Sequence, residues 1–519
     1  MESSVARIVA AVVAGGRSPE AVLREHVERY RETASVNALV QPRHDAAAVE
    51  ARAIAAALEQ GGADEPGRLP LAGVPVSVKE CFPVAGLVTS LGIPSRCGVH
   101  DQADAEIVAR LKSAGALVVG KCNVSQAMYL HEADNPVWGR TNHPLDSRRG
   151  PGGSSGGDAA LVAAGVVPLA VGTDLAGSIR QPAHACGIAG LVPRQAVAGE
   201  GGAVDTVPHL ETVRPRVGFL ARHVDDLELA LGVLCRDAGT VSRVPAKAAP
   251  LRIAWWDDAG VLEPSAVIRR AVHEAVNRLE RAGAVTVQVS GELAAEAAWL
   301  HLAILSADGG ADIRRLFGGT RPIPPVAKLL AIAGCPGWLR AVMAAGADLA
   351  GCRIEARALR ATGPRTPAAL AALFDRRAAL AVRCAELLAG CDAVVCPVSA
   401  LPALPHGTAS KLVVAAAPCM LANLLDLAAG AVPVTRVRPE EEDRAALPSG
   451  RDRVVRAAVE ADRGSRGLPV GVQVIGLGPV DASTDGPLAA ERTVLDVMRL
   501  IEAGNGDGAR SFGCTSGAG

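Results

Sequence analysis

Apolar residues open the chain at helical spacing. Val5, Ile8, Val9 and Val12, then Val22, Leu23 and Val27, then the alanine-rich run from Ala47 to Leu58 recur every three or four positions, as on a helix with one covered face. From Gly73 the period changes. Short apolar runs (VPVSV at 74–78, LVVG at 117–120, VVPLAV at 166–171) alternate with helical ones (AEIVARLKSAGA at 105–116, GDAALVAAG at 157–165). The alternation returns with RIAWW at 252–256, a helical run at 265–284, VTVQV at 285–289, DAVVCPV at 392–398 and GVQVIG at 471–476. Strands alternating with helices define the α/β class. Because strand signals occur in both halves, one sheet built from the whole chain is more economical than separate domains. The expected organisation is N-terminal helices packed on the core over 1–65 and one large domain over 66–503. A helical layer falls at about 295–390, a charged, Pro/Gly-punctuated surface excursion at 438–467, and a Gly/Ser-rich disordered tail at 504–519.

Composition narrows the function. The chain of 519 residues is 49% hydrophobic with a net charge of −1, so it can bury a large core and invites neither nucleic acid nor an anionic surface. Aromatic residues make up 2%, leaving Ala, Val and Leu to build most of any pocket. Twelve cysteines without a C-x-x-C pair read as reduced thiols in a cytoplasmic protein. The N-terminal run is a weak signal peptide, and none is expected. The most apolar stretch, Val326 to Gly351, is broken by Lys328, Pro336, Arg340 and Asp348. It is too interrupted to span a bilayer, but suits a helical hairpin that rests on a membrane surface or covers a pocket.

The chemistry concentrates between Gly150 and Arg180. A glycine-rich loop carries Ser154 and Ser155, and a second glycine-bearing turn, TDLAGS at 173–178, ends on Ser178. Upstream, the strand-like VPVSVK ends on Lys79, which shares one strand face with Ser77. A serine hydroxyl needs a base, and a lysine serves only when burial keeps it neutral. Two serines and such a lysine form a nucleophile-and-base device without histidine, and the turn before Ser178 aims successive N–H groups at one point, as an oxyanion hole does. Each feature alone is commonplace: a solvated strand end, a flexible loop, an N-cap. Their co-occurrence in order points to acyl transfer.

Six stretches carry a family resemblance: GVPVSVKE, GKCNVSQ, GRTNHP, PGGSSGG, GTDLAGSIRQPA and CGIAGLVP, all within 73–195. The chain resembles the amidase signature enzymes. KECF, SQAMYL, NPVWGRT, NLLDLAAGAVPVTRV and GLPVGVQVI look like its fatty acid amide hydrolase branch. The resemblance implies an α/β fold with a mixed sheet flanked by helices on both faces. It implies an amidase that cleaves amide C–N bonds through a Ser–cis-Ser–Lys triad and an acyl-enzyme. Lys79 is then the base, Ser154 the bridging serine and Ser178 the nucleophile. Leu175, Ala176 and Gly177, with Ser178, supply the oxyanion hole, and Ser155, Asp174 and Arg180 support it. Met128 and Tyr129 line the substrate pocket, together with apolar residues around 326–350, which favours hydrophobic or fatty acyl amides. Ala176 stands where glycine is more common, which matters only if the site needs positive φ there.

No cofactor or metal is implied: there is no H-E-x-x-H and no paired Cys/His spacing. The expected partner is a small-molecule amide, with no nucleic acid and no transmembrane segment. Peripheral membrane contact and a homodimer are compatible arrangements. Three rival readings are weaker. Gly152-x-Ser154-x-Gly156 fits a nucleophile elbow, but PLDSRRGP before it is not an apolar strand. A glutaminase-type subunit of an amidotransferase would need a different C-terminal half. A catalytically silent scaffold of the same fold would not need Lys79, Ser154 and Ser178 together.

Overall fold

A computed structural model describes residues 4–62, 69–235, 250–444, 452–477 and 488–504. The expected boundary at 65/66 and most of the expected C-terminal tail lie outside the described residues.

Strands form where the apolar runs predict them, and at sites the pattern left unmarked. In chain order they are β1 (Leu39–Pro42), β2 (Pro75–Lys79), β3 (Leu117–Cys122), β4 (Asp134–Asn135), β5 (Gly139–Arg140) and β6 (Leu169–Asp174). They continue as β7 (Ala189–Val192), β8 (Arg216–Ala221), β9 (Arg252–Trp255), β10 (Val285–Gln288), β11 (Ala393–Pro397), β12 (Ala429–Arg436) and β13 (Pro469–Gly476). β4 and β5 pair with each other; the other eleven form one sheet in the order β1-β3-β2-β6-β8-β7-β12-β13-β11-β9-β10. The sheet is mixed. β2 runs parallel to β3 and β6, while β8 is antiparallel to both β6 and β7. Every residue of β2, β3, β6, β7, β8, β11 and β13 is buried. Both faces of the central sheet are therefore covered, which is why these strands read as continuous apolar runs rather than alternating ones.

Residues before 66 supply a strand as well as helices: β1 pairs antiparallel with β3 at the sheet edge. The helices Val5–Val13 and Pro19–Glu32 start at Ser4 and Ser18, whose hydroxyls accept backbone N–H groups of the first turn. The helical layer runs from Glu292 to Leu387 in six helices. The excursion at 438–467 is more than surface. Its helix Arg453–Asp462 buries Val454, Ala457, Ala458 and Ala461 against a cluster containing Leu401, Leu404 and Leu412, because its apolar residues recur at helical spacing behind the charged ones.

Candidate active site

Two strand ends and two loops bring the sequence-predicted residues together. Lys79 closes β2 and is fully buried. Its Nζ lies 2.9 Å from Ser154 Oγ, 3.1 Å from the Thr173 carbonyl oxygen and 2.9 Å from Thr173 Oγ1. Burial lowers its pKa from the usual lysine value. The Gly153–Ser154 peptide bond is cis. The Gly153 N–H donates to Gln181 Oε1 at 3.0 Å. A Cβ at Gly153 would fall 2.2 Å from the Glu132 carbonyl oxygen, so only glycine lets these loops meet. Ser155 N–H donates to the Ser178 carbonyl at 3.1 Å, tying the two serine loops to each other. Ser178 is half-buried, and among the described residues its hydroxyl has no hydrogen-bond partner.

Asp174, the last residue of β6, organises the turn. One carboxylate oxygen accepts the Gly177 N–H at 2.8 Å and the other the Ile179 N–H at 3.1 Å. Arg180 binds both oxygens, at 2.9 and 3.1 Å, and Asn423 Nδ2 adds a bond at 2.9 Å. Arg180 also donates to the Cys419 carbonyl and to Gln473 Oε1, at 3.0 and 2.9 Å. Although Asp174 and Arg180 are both fully buried, the guanidinium outweighs the desolvation and holds the carboxyl well below the usual carboxylate range. Arg180 is correspondingly raised.

The amides expected to form an oxyanion hole differ in their partners. The Gly177 N–H is committed to Asp174, which leaves the amides of Leu175, Ala176 and Ser178 without partners among the described residues. Gly177 is needed for another reason. Its φ is +100°, and a Cβ there would meet Cys419 Cβ at 2.8 Å. Ala176 does not adopt positive φ, so alanine fits its position. His131 Nε2 lies 3.1 Å from the Ala176 carbonyl, and burial lowers its pKa and favours the neutral ring.

Met128 and Tyr129 are half-buried and pack on the main core. Met128 sits at φ 55° in a loop held from two sides. The Ala127 N–H donates to the Leu91 carbonyl, and Gln126 Oε1 accepts the Ile323 N–H, each at 2.8 Å. Of the apolar residues around 326–350, Leu330 is core, whereas Trp338 is 70% and Leu349 88% exposed. Trp338 and Met343 lie on the exposed side instead. The helices Pro324–Gly334 and Gly337–Leu349 bend by 114° and carry them outward. Among the described residues no single helix is long and apolar enough to cross a membrane.

Sequence reading missed Thr173, Gln181, Asn423, Gln473 and His131. Thr173 lies inside the GTDLAGS motif, whereas Asn423 and Gln473 bind from more than two hundred residues away, a distance that no local pattern bridges.

A family model described as Amidase matches residues 21–483. The chain is 34% identical over 435 residues to fatty-acid amide hydrolase 1 of Sus scrofa, covering 79% of this chain and 74% of that one. It is 29% identical over 456 residues to fatty acid amide hydrolase 1 of Caenorhabditis elegans, covering 83% of this chain and 76% of that one. A solved structure of fatty acid amide hydrolase superposes with a TM-score of 0.77 at 22% identity, covering 96% of this chain and 85% of that one. The chain belongs to the Amidase family. It is a hydrolase that acts on amide carbon–nitrogen bonds.

Proposed function

We propose that the chain cleaves amides of hydrophobic acids through an acyl-enzyme on Ser178, with Lys79 as base and Ser154 as relay. The observation that carries this reading is the buried Lys79 Nζ, 2.9 Å from Ser154 Oγ. Two of its N–H bonds directed at Thr173 leave the lone pair of the neutral amine for the Ser154 proton. Ser154 then takes the proton of Ser178 as that oxygen attacks the amide carbonyl. The developing oxyanion faces the Leu175, Ala176 and Ser178 amides. Ser154 hands its proton to the leaving amine and recovers one from Lys79, and water then releases the acid by the same relay.

The similarity to fatty-acid amide hydrolase 1 and the apolar surroundings of Met128 and Tyr129 support a hydrophobic acyl group. Each buried methylene is worth about 0.8 kcal/mol, roughly fourfold in kcat/KM when fully used. Hexanamide and decanamide therefore exceed acetamide and glutamine by about tenfold or more. The exposed apolar residues of the bent helix pair, Trp338, Val342 and Leu349, suit a membrane surface from which such substrates are drawn. The reading places the enzyme in a reducing cytoplasm, where its cysteines stay as thiols.

The test combines a substrate series with a fluorophosphonate probe. Ser178 is the labelled residue, and Ser178→Ala abolishes both labelling and turnover. Labelling at Ser154, with Ser178→Ala still active, would refute the nucleophile assignment. A series in which glutamine is best would refute the hydrophobic substrate.

A further inference from the structure

A second buried acid stands behind the lysine. Asp158 lies in the first turn of the helix Gly156–Ala163 and is fully buried. One of its oxygens accepts the Ser77 hydroxyl at 2.9 Å, and the other meets no nitrogen or oxygen donor. Ser77 is two residues before Lys79 on β2, so the two side chains share one strand face. The carboxyl therefore sits on the same side of the sheet as the lysine, joined to its strand by Ser77.

Charge balance gives Asp158 its importance. When Lys79 takes up a proton, a full positive charge appears at a site closed to water. Asp174 is occupied by Arg180 through two hydrogen bonds, so that pair is neutral as a unit. Glu80 directly follows the end of β2 and Lys121 precedes Cys122 on β3, and both are engaged elsewhere. Glu80 accepts from Ser90 and Leu91, and Lys121 donates to Val88 and Thr89. The remaining titratable neighbours are the thiols of Cys81 and Cys122, which burial pushes up, and His131, which burial keeps neutral. Among the described residues, Asp158 is the one facing acid that no guanidinium or ammonium directly binds. Burial raises it to about 7.

We propose that Asp158 is a positioning residue for the triad: its carboxylate, held to the lysine strand through Ser77, balances the charge that Lys79 acquires when it accepts the Ser178 proton through Ser154. The inference rests on the triad reading above. Without this anion a fully buried amine would be too weak a base. With it, Lys79 keeps enough proton affinity to serve, although burial lowers its pKa.

The experiment is the pH dependence of kcat/KM and of fluorophosphonate inactivation in the intact enzyme. The rising limb reports loss of the proton from Lys79. Asp158→Asn keeps an oxygen for Ser77 and removes the charge. It moves that limb to lower pH by about one unit or more, the size expected for loss of a nearby opposite charge, and lowers the plateau because the base is weaker. Asp158→Ser, smaller and also neutral, gives the same displacement should the asparagine variant fold poorly. Lower activity at every pH with an unmoved limb in both variants would overturn the proposal and make Asp158 structural. Lys79→Ala separates the two claims. An inactive Lys79→Ala beside an unmoved Asp158→Asn limb refutes this inference alone, whereas an active Lys79→Ala refutes the triad reading itself.

Discussion

Gly177→Ala tests how tightly the turn before Ser178 is held. Two penalties follow from its geometry. The backbone at Gly177 has φ +100°, where an L-residue pays about 1–2 kcal/mol. The new Cβ would also stand 2.8 Å from Cys419 Cβ and 2.9 Å from its Sγ. Both are the near part of a side chain whose backbone carbonyl is bound by Arg180, so the clash is not relieved by rotation. Overpacking of this kind costs about 1–3 kcal/mol. The sum, about 2–5 kcal/mol, divides between lost stability and displacement of the turn. A displacement of a few tenths of an ångström at Leu175, Ala176 and Ser178 lowers kcat/KM by about tenfold or more. The assay is kcat/KM on decanamide together with the apparent melting temperature, in a cycle with Cys419→Gly. Cys419→Gly removes the clash and leaves the φ penalty, so the double variant recovers part of the loss, with a coupling of about 1 kcal/mol or more. Wild-type activity and stability in Gly177→Ala would refute this account of the turn. Strict additivity with Cys419→Gly would refute the steric half of it.

Two further predictions concern pH and surface. Burial lowers the His143 pKa to about 4, and its ring meets the Ala185 carbonyl and the Leu145 N–H. The unfolded chain protonates this histidine from about pH 6.5 downward while the folded one does not, so stability falls as pH drops to about 4, by up to about 3 kcal/mol. His143→Gln flattens that part of the pH–stability curve in denaturant titrations, and an unchanged slope would count against the neutral buried ring. Trp338→Ser, at a position 70% exposed, reduces cosedimentation with phosphatidylcholine vesicles while kcat/KM on soluble hexanamide stays within about twofold; equal cosedimentation would remove the membrane-surface reading.

The fold was legible where burial is two-sided or the period is clean. β2, β3, β6, β11 and β13 announce themselves as apolar runs between turn residues. β1 and β8 do not: LVQP is short, proline-ended and at the sheet edge, while RVGFLA begins with Arg216, buried because it reaches the Asp426 carboxylate and the Leu427 carbonyl. Lys79, Ser154 and Ser178 stood out because a lysine-ended strand and two serine-bearing glycine turns seldom occur together, and the structure brings Lys79 within hydrogen-bond distance of Ser154. Gly177 was harder. Its place in the turn suggests an oxyanion donor, but its amide is claimed by a carboxylate three residues back, a contact set by the curl of the loop rather than by spacing. Trp338 illustrates the reverse error, since an apolar residue at helical spacing has no sign telling whether its face meets a core or solvent.

The bonds around Arg180 have a consequence for synthesis. Its guanidinium is shared among Asp174, Cys419, Asn423 and Gln473, and β13, which carries Gln473, lies between β12 and β11 in the sheet. A nascent chain that has emerged only as far as Ser178 holds that serine and Lys79 but not the clamp that shapes the turn. A ribosome must add almost three hundred residues more before the last of these partners arrives. The turn thus gains its full set of partners only when the far end of the sheet has closed on the near one.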